Sequence, residues 1–344
     1  MLDFIRLTRP LNLLIMVFTM AAMRYGVIGG FLKVSSAELQ SMTIAPGATI
    51  FDKVPGNTFT HGFSELLFWL LVLSTVLVAA GGNVINDYFD TRIDRVNKPD
   101  AVIVGRTVKR RVAMLGHAVL TALGILVGGF VAWRAGQWHL VAIPLLAAGA
   151  LWTYSTRLKR MFLIGNGLVA VLVALVPFTV GLYEIPALFS QYGPSATGIN
   201  YDGSEVEIVF GFHGLWAWIW GFTGFAFLTT LVRELQKDMA DIKGDKADGC
   251  RTIPIVMGIP WAKAITLFYL GVVIVALLVI RSVALTDRFS YWYIGAGLVV
   301  PLLLTAGLTY AAHTRPEFNR AGHVMKLAMA IAVAFAFFIE RTLQ

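Results

Sequence analysis

Residues 66–100 read LLFWLLVLSTVLVAAGGNVINDYFDTRIDRVNKPD. An apolar run long enough for a membrane helix passes straight into a string of carboxylates and amides. A spanning helix needs about 20 mostly apolar residues, and the run near 63–86 meets that length. At 100° per residue, Asn83, Asp87, Asp90 and Asp94 fall within about 60° of one another, with Asn86 about 40° beyond Asp90. The inner end of this span therefore carries an acidic stripe.

Working outward, further apolar runs lie near 11–32, 112–133, 138–155, 161–183, 212–232, 262–281, 290–312 and 322–340. The chain of 344 residues is 57% hydrophobic and 14% charged, against about 25% charged for a soluble domain. These numbers exclude a cytosolic enzyme, a disordered chain, a collagen-like fibre and a disulfide scaffold. The run after Arg6 and Arg9 has no small-x-small cleavage site and reads as an uncleaved first helix. We expect an all-α polytopic bundle of nine transmembrane helices in a single domain, residues 1–344.

With the N-terminus inside, segments 1–10, 87–111, 156–160, 233–263 and 313–326 hold 21 of the 28 Lys and Arg. That bias predicts a cytoplasmic N-terminus and an extracytoplasmic C-terminus. It also explains the net charge of +8 without nucleic acid. The segments 33–62 and 184–211, rich in Gly, Ser, Thr and Pro, read as extracytoplasmic loops with room for short structure of their own.

A second stretch, RELQKDMADIKGDKADGCRTIPIVMG from Arg233 to Gly258, repeats the pattern. Glu234, Asp238, Asp241 and Asp245 step by four, three and four, as Asn83, Asp87, Asp90 and Asp94 do. Like charges at this spacing destabilise a lone helix by about 0.2–0.5 kcal/mol per pair. Carboxylates near lipid tend to mark function. Two matching stripes at the inner ends of spans point to something cationic held between them. Oxygen donors without His or Cys suit magnesium, which protein carboxylates commonly share with substrate phosphates. A cation-transport path is the alternative from another class. The carboxylates lie at one cytoplasmic rim, however, and no interrupted helix pair marks the midplane.

Asn86-x-x-x-Asp90-x-x-x-Asp94 followed by Asn97-Lys98-Pro99 resembles the first signature of the UbiA superfamily of intramembrane prenyltransferases. Asp241-x-x-x-Asp245 and the trailing G-x-R-T-I-P resemble the second. The likeness extends to Arg9-Pro10-x-Asn12 and to Tyr154-Ser155 through Leu158-Lys159-Arg160. Within the superfamily, the second stretch is most similar to the branch acting on geranylgeranylglyceryl phosphate and to the homogentisate and chlorophyll branch. The resemblance implies magnesium-dependent transfer of a prenyl group from an allylic diphosphate to a membrane-soluble acceptor. The chemistry would sit at the cytoplasmic face of the cytoplasmic membrane. The acceptor is expected to be geranylgeranylglyceryl phosphate, with an aromatic quinone precursor as the alternative.

On that basis Asn86, Asp90 and Asp94 are expected to hold one magnesium ion, and Asp241 and Asp245 another. Asp87, Asp238 and Glu234 are ligands or orienting groups of second choice. Arg9, Asn12, Lys98, Arg106, Tyr154 and Lys159 are candidates for diphosphate or acceptor binding. Ala101 to Arg106 departs from the R-P-I-P-S-G of many relatives, and Arg106 can supply the cation so lost. Tyr88, Phe89, Tyr154, Trp218 and Trp220 are available to face an allylic cation, although packing explains any one of them as well. Cys250 reads as a spectator thiol and Gly165-x-Gly167 as close packing. Arg24, inside the first span, either meets an anionic acceptor or pairs with an acidic neighbour.

Overall fold

The computed structural model describes residues 2–43, 53–97, 99–199 and 204–343. Lys98 thus lies outside the described residues. Helix α1 combines Pro10–Ala21, a π-helical stretch Ala22–Ile28 and Gly29–Thr43. It is followed by α2 (Glu65–Phe89), α3 (Arg110–Arg134), α4 (Ala142–Thr156), α5 (Ile164–Tyr192) and α6 (His213–Ala247). The chain finishes with α7 (Ile259–Val283), α8 (Arg288–Ala311) and α9 (Arg315–Leu343).

Among the described residues, eight of these helices are long and apolar enough to cross a membrane. The expected span at 138–155 is the exception. A 3-10 turn over Trp138–Val141 precedes α4, whose 15 residues rise only about 22 Å against a hydrocarbon core of about 30 Å. The all-α expectation also needs one amendment. Strand β1 (Ser195–Ile199) pairs antiparallel with β2 (Glu205–Val209), Ser195 opposite Val209. The expected loops are shorter than the sequence suggests, because α1 runs on to Thr43 and α5 to Tyr192. In α5 Pro177 and Pro186 lie inside the helix, as membrane helices tolerate when neighbours satisfy the freed backbone groups.

Small residues let α2 and α3 approach closely. Ser74 donates to the Gly124 carbonyl at 2.7 Å, and a ring nitrogen of His117 lies 3.0 Å from the Gly81 carbonyl. Towards the β-hairpin, Phe59, Tyr192, Phe210 and Phe212 form an edge-to-face aromatic core. Arg24 lies close to it, and its alternatives are settled in favour of an acidic partner. Its guanidinium meets Glu184 at 3.1 Å, donates to the Phe63 carbonyl at 2.6 Å and sits 4.6 Å above the Phe68 ring. Arg24 and Glu184 are both fully buried, and Glu184 also accepts from the Phe63 N–H.

Candidate active site

Helix α2 stops at Asp90, whose ψ of 1° leaves the helical range, and a short helix Thr91–Asn97 follows. The hydrogen bonds Asp90 N–H to Asn86 carbonyl (2.9 Å) and Asp94 N–H to Asp90 carbonyl (2.8 Å) carry the pattern across the break. The first stripe is therefore split between two helices rather than laid along one. The second stripe is continuous. Helix α6 has 35 residues, about 52 Å of rise, which carries Glu234, Asp238, Asp241 and Asp245 beyond an apolar crossing.

The two signatures are tied together directly. Asn97 Oδ1 accepts the Gly244 N–H at 3.0 Å, and its Nδ2 donates to the Asp241 carbonyl at 3.3 Å. A Cβ on Gly244 would come 2.3 Å from the Asn97 amide, so glycine is what lets the helices approach. Arg315, at the start of α9, donates to both the Asn97 carbonyl and Asp241. A second tie runs through the turn Leu158–Arg160. Arg160 pairs with Asp248 at 2.8 Å, and its carbonyl accepts the Arg251 N–H at 3.0 Å. Gly165 packs against Leu158 and Lys159 at distances tight for any side chain. The turn presses Lys159 onto Asp90.

Five of these acids are matched with donors. Asp87 pairs with Arg9, Asp90 with Lys159, Asp241 with Arg315, and Glu234 with Arg233 and Lys237. Asp238 accepts from Asn166 at 2.7 Å. Arg9 precedes Pro10 with φ +55°, a left-handed conformation that a non-glycine residue adopts at a strain of order 1–3 kcal/mol. Against the pull of its burial, Asp87 holds the Arg9 guanidinium above its ordinary pKa. Burial draws the Lys159 ammonium down to about 8 and pushes the Cys250 thiol up to about 11. Cys250 is buried, the setting of an unreactive thiol.

A cavity of about 660 Å³ opens beside these groups. Arg9, Asn12, Asn86, Tyr154 and Glu234 line it, and its apolar walls include Val173, Val176, Phe222 and Phe225. Of the aromatic candidates only Tyr154 reaches it. Tyr88 lies under Arg110, Phe89 against Trp152, and Trp220 against Phe178. Arg106 does not join the site: it stands exposed in a turn after Gly105, and none of the ion pairs among the described residues involves it. Arg315, Asn166 and Lys237 are the site residues that sequence reasoning passed over. In the sequence, Arg315 and Lys237 register only as orienting charges in cytoplasmic segments.

The donors suit magnesium. Asn86 gives its Nδ2 hydrogen to Asp90 at 2.7 Å, which leaves its Oδ1 buried without a hydrogen-bond partner. Among the described residues no three His, Cys, Asp or Glu side chains converge on one point. An ion here would take one or two carboxylates and complete its shell from phosphate oxygens and water, which is magnesium's usual habit.

The sequence profile of the UbiA prenyltransferase family matches residues 58–337. The chain belongs to that family. It is a membrane prenyltransferase, and its UbiA relatives include the digeranylgeranylglyceryl phosphate synthase of Methanothermobacter thermautotrophicus. The two are 31% identical over 274 residues, 78% of this chain and 84% of that protein. The synthase of the same name from Natronomonas pharaonis is 32% identical over 78% and 83% of the two chains. Among solved structures, a digeranylgeranylglyceryl phosphate synthase superposes with a TM-score of 0.58 at 21% identity, over 99% of this chain and 98% of that one. A UbiA homologue from Archaeoglobus fulgidus bound to DMAPP and Mg2+ gives 0.54 at 16% identity, over 98% and 99%. These two likenesses establish the UbiA fold.

Proposed function

We propose that this UbiA enzyme transfers a geranylgeranyl group from its diphosphate to geranylgeranylglyceryl phosphate, using Mg2+. The carrying observation is the identity of about 30% with synthases of that name over more than three-quarters of the chain. The cavity supports it, since Asn86 and Glu234 from the two signatures line its polar end and its apolar walls suit an isoprenoid chain. The chain is read as one domain. The bias of Lys and Arg supports a ninth crossing made of α4 together with its 3-10 turn, with the N-terminus and the site at the cytoplasmic face of the cytoplasmic membrane and the C-terminus outside.

Asn86, Asp90 and Asp94 would hold one ion, and Asp241 and Asp245 a second. Magnesium, when bound, stabilises the charge that grows on the departing diphosphate. Asp87 orients Arg9, Asp238 is itself oriented by Asn166, and Glu234 gathers Arg233 and Lys237. Lys159 lies where it can exchange Asp90 for a diphosphate oxygen, and Lys98 is assigned the same role from its place after Asn97. Arg9, Asn12 and Tyr154 line the cavity next to these groups, where substrate polar groups would lie. The acceptor hydroxyl oxygen bonds to C1 of the allylic chain as the bond from C1 to diphosphate oxygen breaks. The electron pair leaves with diphosphate, which also takes the hydroxyl proton. The apolar walls keep water from the allylic cation.

The test is magnesium-dependent release of diphosphate from geranylgeranyl diphosphate by membranes containing the protein. Release with geranylgeranylglyceryl phosphate is expected. Release only with aromatic acids would move the acceptor to the quinone branch. No release from folded protein with any acceptor would overturn prenyl transfer and revive an ion path.

A further inference from the structure

The cavity also has a polar wall formed between α6 and α9. Its lining carries four Lys or Arg side chains against a single carboxylate, Glu234, among the described residues. Arg9 belongs to the signature side, while Arg233 projects from α6 and Lys326 from α9. On α9, Asn319, His323 and Lys326 follow one another at i, i+4 and i+7, which places them on one face. All three line the cavity and are exposed at its opening. A cavity wall with this excess of cations suits an anionic ligand.

Gln236 supplies an independent observation. It is 1% exposed. Thr309 commits its hydroxyl hydrogen to the Thr305 carbonyl at 2.8 Å, so its oxygen must accept from the group that touches it. That group is therefore the Gln236 amide nitrogen, at 2.8 Å, and the orientation of the carboxamide is fixed. The Gln236 Oε1 is left buried without a partner. It faces Gly322, a residue of the cavity wall, 3.7 Å from where a Cβ would stand. The Nε of Arg233 is likewise buried and unpartnered.

We propose that this wall between α6 and α9 is the headgroup site of the acceptor. Arg233, His323 and Lys326 take a phosphate monoester, and before reaction Gln236 Oε1 accepts a hydrogen bond from the free hydroxyl and so positions it; the proton itself passes to the departing diphosphate as the new C–O bond forms. One anionic phosphate and one free alcohol are the polar groups of a mono-prenylated glycerol phosphate, so this inference rests on the function proposed above. An allylic diphosphate has no hydroxyl hydrogen to offer Gln236, which assigns the wall to the other substrate.

Steady-state kinetics of the full-length protein with geranylgeranyl diphosphate and geranylgeranylglyceryl phosphate test the assignment. Lys326→Gln combined with His323→Gln should raise KM for the acceptor at least tenfold and leave KM for the diphosphate within twofold. Lys326→Arg should restore most of the loss. Phosphate-free geranylgeranylglycerol should be used equally by wild type and variant. Gln236→Met should erase the wild-type preference for the free hydroxyl over its methyl ether, measured as competitive inhibition. Equal changes in both KM values, or an unmoved acceptor KM in the folded double variant, would overturn the headgroup site alone. A wild-type enzyme that prenylates only aromatic acceptors would overturn the headgroup site and the proposed function together.

Discussion

The Asn97 carboxamide grips the Gly244 turn from two sides, accepting the Gly244 N–H at 3.0 Å and donating to the Asp241 carbonyl at 3.3 Å. One side chain thereby sets the separation between the helix that carries Asp94 and the helix that carries Asp241 and Asp245. The distance between two carboxylate sets decides whether one diphosphate can meet both, so this contact tunes the site without touching substrate.

Gly244→Val should therefore weaken magnesium use as well as folding. The new side chain displaces Asn97, at a cost of about 1–3 kcal/mol for overpacking. A magnesium titration of diphosphate release should shift to higher concentration. An unchanged titration alongside a lowered melting temperature would show that the contact is structural only.

Asp90→Asn and Asp241→Asn should each lower turnover at least 100-fold. The amides keep hydrogen-bonding capacity towards Lys159 and Arg315, so the melting temperature in detergent should move little. Full activity in both variants would refute the metal assignment.

Lys159→Gln should raise KM for the allylic diphosphate about tenfold, the effect of losing one charge-assisted contact worth about 1.4 kcal/mol. Gly165→Leu should act in the same direction, because it pushes the turn that presents Lys159. Acceptor KM is the control, and an equal change there would argue for general distortion.

Chelation of magnesium should stop diphosphate release, and added Mg2+ should restore it while the helical content by circular dichroism stays constant. Release that survives exhaustive chelation would remove the metal from the reaction.

Glu184→Ala leaves the buried Arg24 with only the exposed Glu65 carboxylate, at 3.4 Å, as a charge partner, and losing the buried partner costs up to about 3–5 kcal/mol. A lower melting temperature is expected with near-normal activity per folded molecule. An unchanged melting temperature would mean that Arg24 finds another partner.

Much of this is legible in the sequence. The spacing of Asn83, Asp87, Asp90 and Asp94 and its echo from Glu234 to Asp245 are local patterns, and local patterns survive in a linear chain. The break at Asp90 was not legible, because hydrogen bonds continue across it and the residues on either side have ordinary helix propensity. The shortness of α4 was hidden by the apolar residues of the 3-10 turn before it. Strands β1 and β2 were hidden in a segment whose composition reads as loop. Arg106 is a replacement cation by position, but it stands exposed in a turn and joins none of the ion pairs among the described residues.

Sequence by itself determined that this chain lives in a bilayer, which ends of its helices carry the acids, and which family it resembles. Those conclusions rest on hydropathy, charge asymmetry and periodicity, properties of neighbours along the chain. Tertiary structure alone decided the partners: Arg24 with Glu184 across 160 positions, Arg315 with Asp241 across 74, and Asn97 with Gly244 across 147. It also decided that Gln236 shows an unpaired oxygen to a cavity wall on α9. Such pairings depend on which helix faces pack together, and nothing in the order of residues along one helix records the face its neighbour presents.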